Sequence, residues 1–275
     1  MPKHFFLRRL LQILSITLFS FLVYLLGTGQ TTSFWAKFFL RLDPLVGLSL
    51  PIACRSLLET LWPVLLVYLS ALCFGRIFCG YFCPMGGFLE ILGSLVRWGR
   101  PIALKTWPSL RFLKYALLAL LLIAALLGAN LAFWASPLPL TARLYVLCLA
   151  PLANIGLENF YAYFEHFWPE PLAVTFGLKS LSFAWFIASF WGLLLALEAL
   201  APRFWCRYLC PAGALLGLLA KLAPWRRRLE EKLCVQCGKC AKVCPAGLAK
   251  PKSSSYSVSE CFGCQQCKQA CPKGP

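Results

Sequence analysis

Four stretches of the chain are almost free of charge: Leu10 to Leu26, Thr60 to Gly75, Tyr115 to Leu140 and Ser180 to Leu197. Each is close to the ~20 apolar residues that a helix needs to cross a bilayer, so the pattern predicts four transmembrane helices. Lys3, Arg8 and Arg9 ahead of the first run would also suit a signal peptide. Gly27-Thr28-Gly29-Gln30 is a poor small-residue cleavage site, however, and the run is kept as a helix. Of the 27 Lys and Arg residues, 22 lie before the first run, between Arg76 and Lys114, or from Arg203 onward. The other loops hold only Lys37, Arg41, Arg55, Arg143 and Lys179, an imbalance that predicts a multi-pass protein of the cytoplasmic (inner) membrane with both termini cytoplasmic. Leu42 to Ala53 and Leu144 to Leu157 are apolar but too short to span, and suit interfacial or re-entrant segments on the outer side.

The pattern repeats. Each half runs out through one helix, meets a Pro-Leu turn (Asp43-Pro44-Leu45, then Ser136-Pro137-Leu138), returns through a second helix and ends in Cys-x3-Cys-Pro, followed by Gly and a short apolar helix. Gly80-Tyr81-Phe82-Cys83-Pro84-Met85-Gly86 corresponds to Arg207-Tyr208-Leu209-Cys210-Pro211-Ala212-Gly213. Both halves enter the membrane in the same sense, so they form a parallel repeat about an axis along the bilayer normal. After Ala223-Pro224 the chain turns basic at Trp225-Arg226-Arg227-Arg228 and then polar and cysteine-rich. The expected architecture is an all-α membrane domain over residues 1–224 and a small α+β ferredoxin-like domain over residues 225–275.

Composition agrees with the pattern: 60% of residues are hydrophobic and 13% charged, with a mean hydropathy of +0.70. The net charge of +17 does not point to nucleic acid, because the basic residues flank apolar spans rather than forming a face interleaved with aromatics. The 15 cysteines fall into clusters with metal-ligand spacing, which argues for cofactor ligation in a reducing compartment rather than a disulfide scaffold.

Cys234-x2-Cys237-x2-Cys240-x3-Cys244-Pro245 returns as Cys261-x2-Cys264-x2-Cys267-x3-Cys271-Pro272, the bacterial ferredoxin run. Three closely spaced cysteines wrap one cube, and the fourth, set off by a proline, reaches the neighbouring one. The spacing predicts two [4Fe-4S] clusters, one on Cys234, Cys237, Cys240 and Cys271, the other on Cys261, Cys264, Cys267 and Cys244. Zinc also binds paired Cys-x2-Cys motifs, but its four ligands do not explain two runs of four that end in proline. Cys79 with Cys83 and Cys206 with Cys210 each sit at i and i+4, one helical face apiece. Together these four thiolates suit a third iron–sulfur cluster, a zinc or copper site, or a pair of buried structural thiols.

Other residues carry weaker signals. Cys73 reads as a small buried hydrophobe, and Cys54 and Cys148 are candidates for an outer disulfide. The chain has only two histidines, His4 and His166, so no intramembrane pair exists to ligate haem, and none is expected. His166 reads as an interfacial residue, and Trp134, Trp168, Trp185, Trp191 and Trp205 as interfacial belts or core packing. Glu90 and Arg143 are polar groups near hydrocarbon, read either as quinone-linked proton exchangers or as interfacial charges. Arg76 and Arg207 should draw the clusters' negative charge. Lys239, Lys242, Lys250, Lys252, Lys268 and Lys273 make the tail basic, as an acidic redox partner, anionic lipid or solubility alone would favour.

The two Cys-x3-Cys-Pro motifs, the Asp43-Pro44-Leu45 turn and the tandem ferredoxin runs together resemble the NapH/NosR-type membrane polyferredoxins, over nearly the whole chain. The resemblance implies a four-helix quinol dehydrogenase component that passes electrons between the quinone pool and an iron–sulfur or haem (cytochrome) partner in anaerobic respiration. By motif, it makes the eight ferredoxin cysteines cluster ligands and Cys79, Cys83, Cys206 and Cys210 the family's membrane-surface cysteines. The loops have no room for the flavin-bearing outer domain of the NosR branch. The related CcoG-type copper reductases differ by a fifth helix and a later outer domain; a copper-reducing oxidase assembly factor of that type is the alternative reading. The last ligand is followed only by Pro272-Lys273-Gly274-Pro275, where a bacterial ferredoxin continues with a closing strand, so a partner is expected to complete the fold unless the sequence is a fragment.

Overall fold

A computed structural model of the chain describes residues 3–27, 38–39, 41–54, 58–96, 107–153, 181–224, 234–235, 237–248 and 258–272. Among the described residues every element is helical and there is no strand. The longest helix is α1, Lys3–Gly27. It is followed by α2, Pro44–Cys54, and α3, Leu58–Phe74. A π-turn, π1 at Phe78–Phe82, leads into α4, Pro84–Val96. The second half opens with α5, Arg111–Leu126, a single turn α6, Ala132–Ala135, and α7, Pro137–Leu144, which runs into π2, Tyr145–Leu149. It closes with α8, Leu181–Leu200, then π3, Trp205–Leu209, and α9, Pro211–Leu219. Two single-turn helices, α10 at Lys239–Lys242 and α11 at Gln266–Gln269, belong to the tail.

The residues Phe6–Leu26 of α1 are long and apolar enough to cross a membrane; the other apolar helices span 10–17 of the described residues. Large apolar side chains stand exposed along α1 (Leu14, Phe21), α3 (Leu65, Leu66), α5 (Leu120, Ile123) and α8 (Phe186, Leu193). Cys73 is exposed on α3 rather than buried, which corrects the sequence reading.

The third apolar stretch is not one helix. It stops at Leu126, turns at Gly128 with φ +87, and restarts in α6 and α7. Asn130 supports the turn by accepting from the Ala132 N–H at 3.3 Å and from the Ser49 hydroxyl at 3.0 Å. Pro137 at the first position of α7 needs no N–H partner there. Hydropathy misses this break because nearly every residue across it is apolar.

The short helices after the π-turns have matching surroundings. Helix α4 packs on α1 of its own half and on α8 and α7 of the other; α9 packs on α5 of its own half and on α3 and α2 of the other. At the opposite end, the fully buried Asp43 joins the two Pro-Leu turns. Its Oδ1 accepts from the Leu45 and Val46 N–H groups at 3.0 and 3.2 Å and from the Ser136 hydroxyl, and its Oδ2 from the Leu138 N–H at 3.2 Å. One carboxylate therefore caps both α2 and α7.

The α+β expectation for the tail finds no strand among the described residues, and 225–233 and 249–257, which include the expected boundary at residue 225, lie outside them. Gly238 and Gln265, equivalent positions of the two ferredoxin runs, both take left-handed backbone (φ 70 and 57) just before α10 and α11. His166, Trp168 and the side chains of His4 and Cys54 also lie outside the described residues, so the outer disulfide is not among the contacts described. Trp191 and Trp205 are buried in the core, and Trp185 is exposed.

Candidate metal centres

Both Cys-x3-Cys-Pro motifs adopt the same local form. The first cysteine lies in a π-turn closed by an i to i+5 bond: Cys83 N–H to the Phe78 carbonyl at 2.9 Å, and Cys210 N–H to the Trp205 carbonyl at 2.8 Å. The second cysteine precedes proline and is therefore extended, with ψ 115 at Cys83 and 110 at Cys210. That geometry makes it the N-cap of the next helix. The Gly213 N–H donates to Cys210 Sγ at 3.3 Å, and the Gly86 N–H serves Cys83 in the same way. Helix N-termini favour negative charge, so both sulfurs sit where a thiolate is stabilised.

The four cysteines are buried and share one neighbourhood, in which Cys79, Cys206 and Cys210 bear on the charge of Cys83, and Cys79 on that of Cys206 and Cys210. Burial pushes the Cys206 thiol up to about 12, and pushes Cys83 and Cys210 up as well. An ionised form there needs positive charge close by, and two arginines supply it. Arg203 donates to the Cys79 carbonyl at 3.0 Å and the Gly80 carbonyl at 3.4 Å; Arg76 donates to the Cys206 carbonyl at 3.3 Å. Each arginine lies three residues before one cysteine motif and serves the other. Glycine is required at the helix starts: a Cβ on Gly213 would lie 2.5 Å from Arg76 Nη2, and one on Gly86 would lie 2.9 Å from the Cys79 carbonyl.

The tail docks on this site. Phe262 is buried with the guanidinium carbons of Arg76 and Arg203 both 4.9 Å from its ring centroid. The Tyr81 hydroxyl donates to the Gly263 carbonyl at 3.2 Å, and Arg111 donates to the carbonyls of Ala246 and Gly247 at 3.2 and 3.1 Å. Beside Phe262 a cavity is lined by Cys244, Cys261, Cys264 and Cys267. Burial raises the Cys264 thiol to about 11, against the pull of Arg8. Cys234, Cys237 and Cys240 are close enough for the first two to raise Cys240, which burial also raises. Cys271 is exposed, and no interaction between it and those three appears among the described residues.

Among the described residues no three Cys, His, Asp or Glu side chains converge as tightly as a single metal ion requires. Thiols at the corners of a four-iron cube stand farther apart than the ligands of one tetrahedral ion. Buried Arg8, Arg76, Arg203 and Arg207 each keep at least one guanidinium N–H without a partner among the described residues. Spare cationic donors next to buried thiols fit an anionic, sulfur-rich group.

The family described as "4Fe-4S binding domain" matches residues 58–102 and 183–232, which contain the two Cys-x3-Cys-Pro motifs. That described as "4Fe-4S dicluster domain" matches residues 233–275. "Putative electron transport protein YccM" of Escherichia coli is 32% identical over 72% of this chain and 49% of its own length. "Regulatory protein NosR" of Pseudomonas aeruginosa is 28% identical over 72% of this chain and 24% of its own. "Ferredoxin-type protein NapH" of Escherichia coli is 26% identical over 76% of this chain and 63% of its own. The chain belongs to the NapH/NosR-type polyferredoxin family. It spans about half the length of its YccM relative, and no solved structure matches it.

Within this polyferredoxin the residue equivalent to Arg76 is Arg203, visible in the sequence once the repeat is extended three residues upstream to Arg-x2-Cys-x3-Cys-Pro. Arg207, whose own counterpart is Gly80, lies within electrostatic reach of Cys244 and Arg111. Glu90 does not face hydrocarbon as a free acid. It is buried among Arg8, Arg9, Arg203 and Gln12, and although burial alone would raise its carboxyl, Arg203 and Arg8 bring it down to about 2. Arg143 stacks on Trp134 with its guanidinium carbon 4.2 Å from the ring centroid, which fits the interfacial reading. Sequence reasoning misses Glu260 and Phe262, because a single sequence shows them only as a neighbour of, and a spacer within, a ferredoxin run.

Proposed function

We propose that the protein is a membrane-bound electron-transfer subunit carrying three [4Fe-4S] clusters, two in the ferredoxin segment and one on Cys79, Cys83, Cys206 and Cys210. The observation that carries this reading is the burial of those four thiols in one neighbourhood, next to spare guanidinium donors and directly beneath the docked ferredoxin segment. Such clusters supply one-electron transfer when bound. The chain's own residues hold the sulfurs, exclude water from them and place positive charge beside them. In the ferredoxin segment, the cavity shared by Cys244, Cys261, Cys264 and Cys267 supports crossed ligation, with Cys234, Cys237, Cys240 and Cys271 left for the other cluster.

The exposed apolar faces of α1, α3, α5 and α8 favour four membrane crossings, with α2 and α7 as re-entrant helices and both termini cytoplasmic. Clusters on such an anchor gain from the bilayer when a lipid-soluble quinone or a membrane partner meets them there. The substrate we assign is therefore quinol, with an iron–sulfur or cytochrome protein as redox partner.

The test is anaerobic purification, iron and sulfide analysis, and reconstitution in liposomes with ubiquinol and menaquinol analogues. About twelve irons per chain and bleaching of the cluster absorbance by quinol support the reading, at four irons per cluster. About eight irons, unchanged when Cys79 and Cys206 are replaced by serine, rule out the third cluster; bound copper in its place favours a copper reductase. Clusters that stay oxidised with every quinol until a partner protein is added make the helices an anchor only.

A further inference from the structure

The two halves of the cysteine site are nearly equivalent, and the place where they differ is where the ferredoxin segment enters. In the first half, Glu90 on α4 stands seven residues after Cys83 and pairs with Arg203. The equivalent position on α9, seven residues after Cys210, is Gly217. Arg76, the counterpart of Arg203, is buried, and among the described residues no carboxylate of the membrane helices pairs with it. Glu260 of the ferredoxin segment supplies one, its Oε2 2.9 Å from Arg76 Nη1. Lys114 pairs with the same carboxylate, and the Tyr115 hydroxyl donates to its Oε1 at 3.1 Å. Gly217 makes the room: a Cβ there would lie 2.9 Å from the Ser259 carbonyl. Gly80 does the same on the other side, where a Cβ would lie 2.5 Å from the Phe262 carbonyl. Arg203 holds its place with left-handed backbone, φ 54, and its N–H is taken by Glu198 at 2.7 Å.

We propose that Glu260 and Phe262 form a coupling joint in which the ferredoxin segment completes the second half of the cysteine site, so that docking sets the reduction potential of the group held by Cys79, Cys83, Cys206 and Cys210. This rests on the third-cluster reading above. Phe262 fixes the segment between the two guanidiniums, and Glu260 replaces the missing carboxylate and offsets Arg76 and Lys114. Both are positioning residues. Charge near a cluster shifts its potential: removing a neighbouring negative group favours the reduced, more negative state, and removing a positive group disfavours it.

Redox titration followed by electron paramagnetic resonance on the full chain tests the joint, with iron content and limited proteolysis in parallel. Glu260→Gln should shift the midpoint potential of the third cluster upward, and Arg203→Gln should shift it downward, while Arg203→Lys stays near the wild type. Phe262→Leu should release the ferredoxin segment to protease with all irons retained. Wild-type potentials in Glu260→Gln and Arg203→Gln at full iron content would overturn the proposal, as would unchanged protease resistance in Phe262→Leu. Should a glutamine variant lose iron, Phe262→Leu decides on its own, because it leaves every charge in place. A wild type with eight irons would instead defeat the third-cluster reading, and Phe262→Leu would still report whether the segment docks through the joint.

Discussion

Arg203 Nη1 donates to the Cys79 carbonyl at 3.0 Å across a sequence separation of 124 residues. The reverse contact, Arg76 to the Cys206 carbonyl at 3.3 Å, spans 130 residues. Each cysteine motif thus adds, to the i to i+5 bond that closes its own π-turn, an arginine from the half of the chain to which it does not belong. Exchanging the arginines for residues that cannot reach should damage the motif in the opposite half.

Arg203→Met is expected to leave the Cys79 carbonyl without its Arg203 donor, at roughly 1–3 kcal/mol for a buried group left unsatisfied, while the Gly80 carbonyl keeps the Gln12 amide at 2.9 Å. Thermal unfolding in detergent should show the loss, and differential labelling of Cys79 with a thiol reagent in the iron-depleted protein should rise more than that of Cys206. Greater exposure of Cys206 would contradict the crossed arrangement.

Glu90 gives a prediction about pH. Folding lowers its carboxyl from 4.5 to about 2, so the stabilisation from its ion pairs is fully present above the unfolded value and fades only as pH falls toward about 2. Glu90→Gln leaves Arg8 and Arg203 buried without their carboxylate, and should cost on the order of 3–5 kcal/mol near neutrality. The gap between variant and wild type should stay flat between about pH 6 and pH 8. A gap that narrows across that interval would mean that Glu90 takes up a proton there, as a quinone-linked acid would.

Asp43 predicts an asymmetric effect. In Asp43→Asn the amide oxygen can keep the Leu45 and Val46 N–H groups, but the amide nitrogen then faces the Leu138 N–H, donor against donor. The cap of α7 fails while that of α2 survives, at roughly 0.5–2 kcal/mol for one lost cap. Asp43→Ala removes both and should cost about twice as much. Equal losses of thermal stability in the two variants would show that the carboxylate does not cap the two helices separately.

The physical reason for what the sequence revealed differs from element to element. Cysteine spacing is local chemistry, so the ferredoxin runs and both Cys-x3-Cys-Pro motifs can be read from single lines of residues. The break at Gly128 cannot, because a left-handed glycine inside an apolar stretch leaves hydropathy unchanged. Arg203 follows a proline at the end of an apolar run, where a basic residue reads as a topology signal. Its inward role depends on a partner 113 residues away, Glu90. Phe262 occupies a spacer position in Cys-x2-Cys, and only the docked structure shows the two guanidiniums that flank it.

Crossed ligation makes the last prediction. Pro245 directs the chain away after Cys244, and the cavity that Cys244 lines is shared with Cys261, Cys264 and Cys267 rather than with Cys234 and Cys237. Cys244→Ser should therefore damage the cluster assigned to the second ferredoxin run, although the residue belongs to the first. That cluster is also the one beside Phe262, so its loss should disturb the third cluster's signal, whereas Cys271→Ser should leave that signal unchanged. Electron paramagnetic resonance on the two reduced variants reads both effects. If Cys244→Ser removed the signal of the cluster held by Cys234, Cys237 and Cys240 and spared the other, each run would ligate its own cube and the shared cavity would have no part in binding.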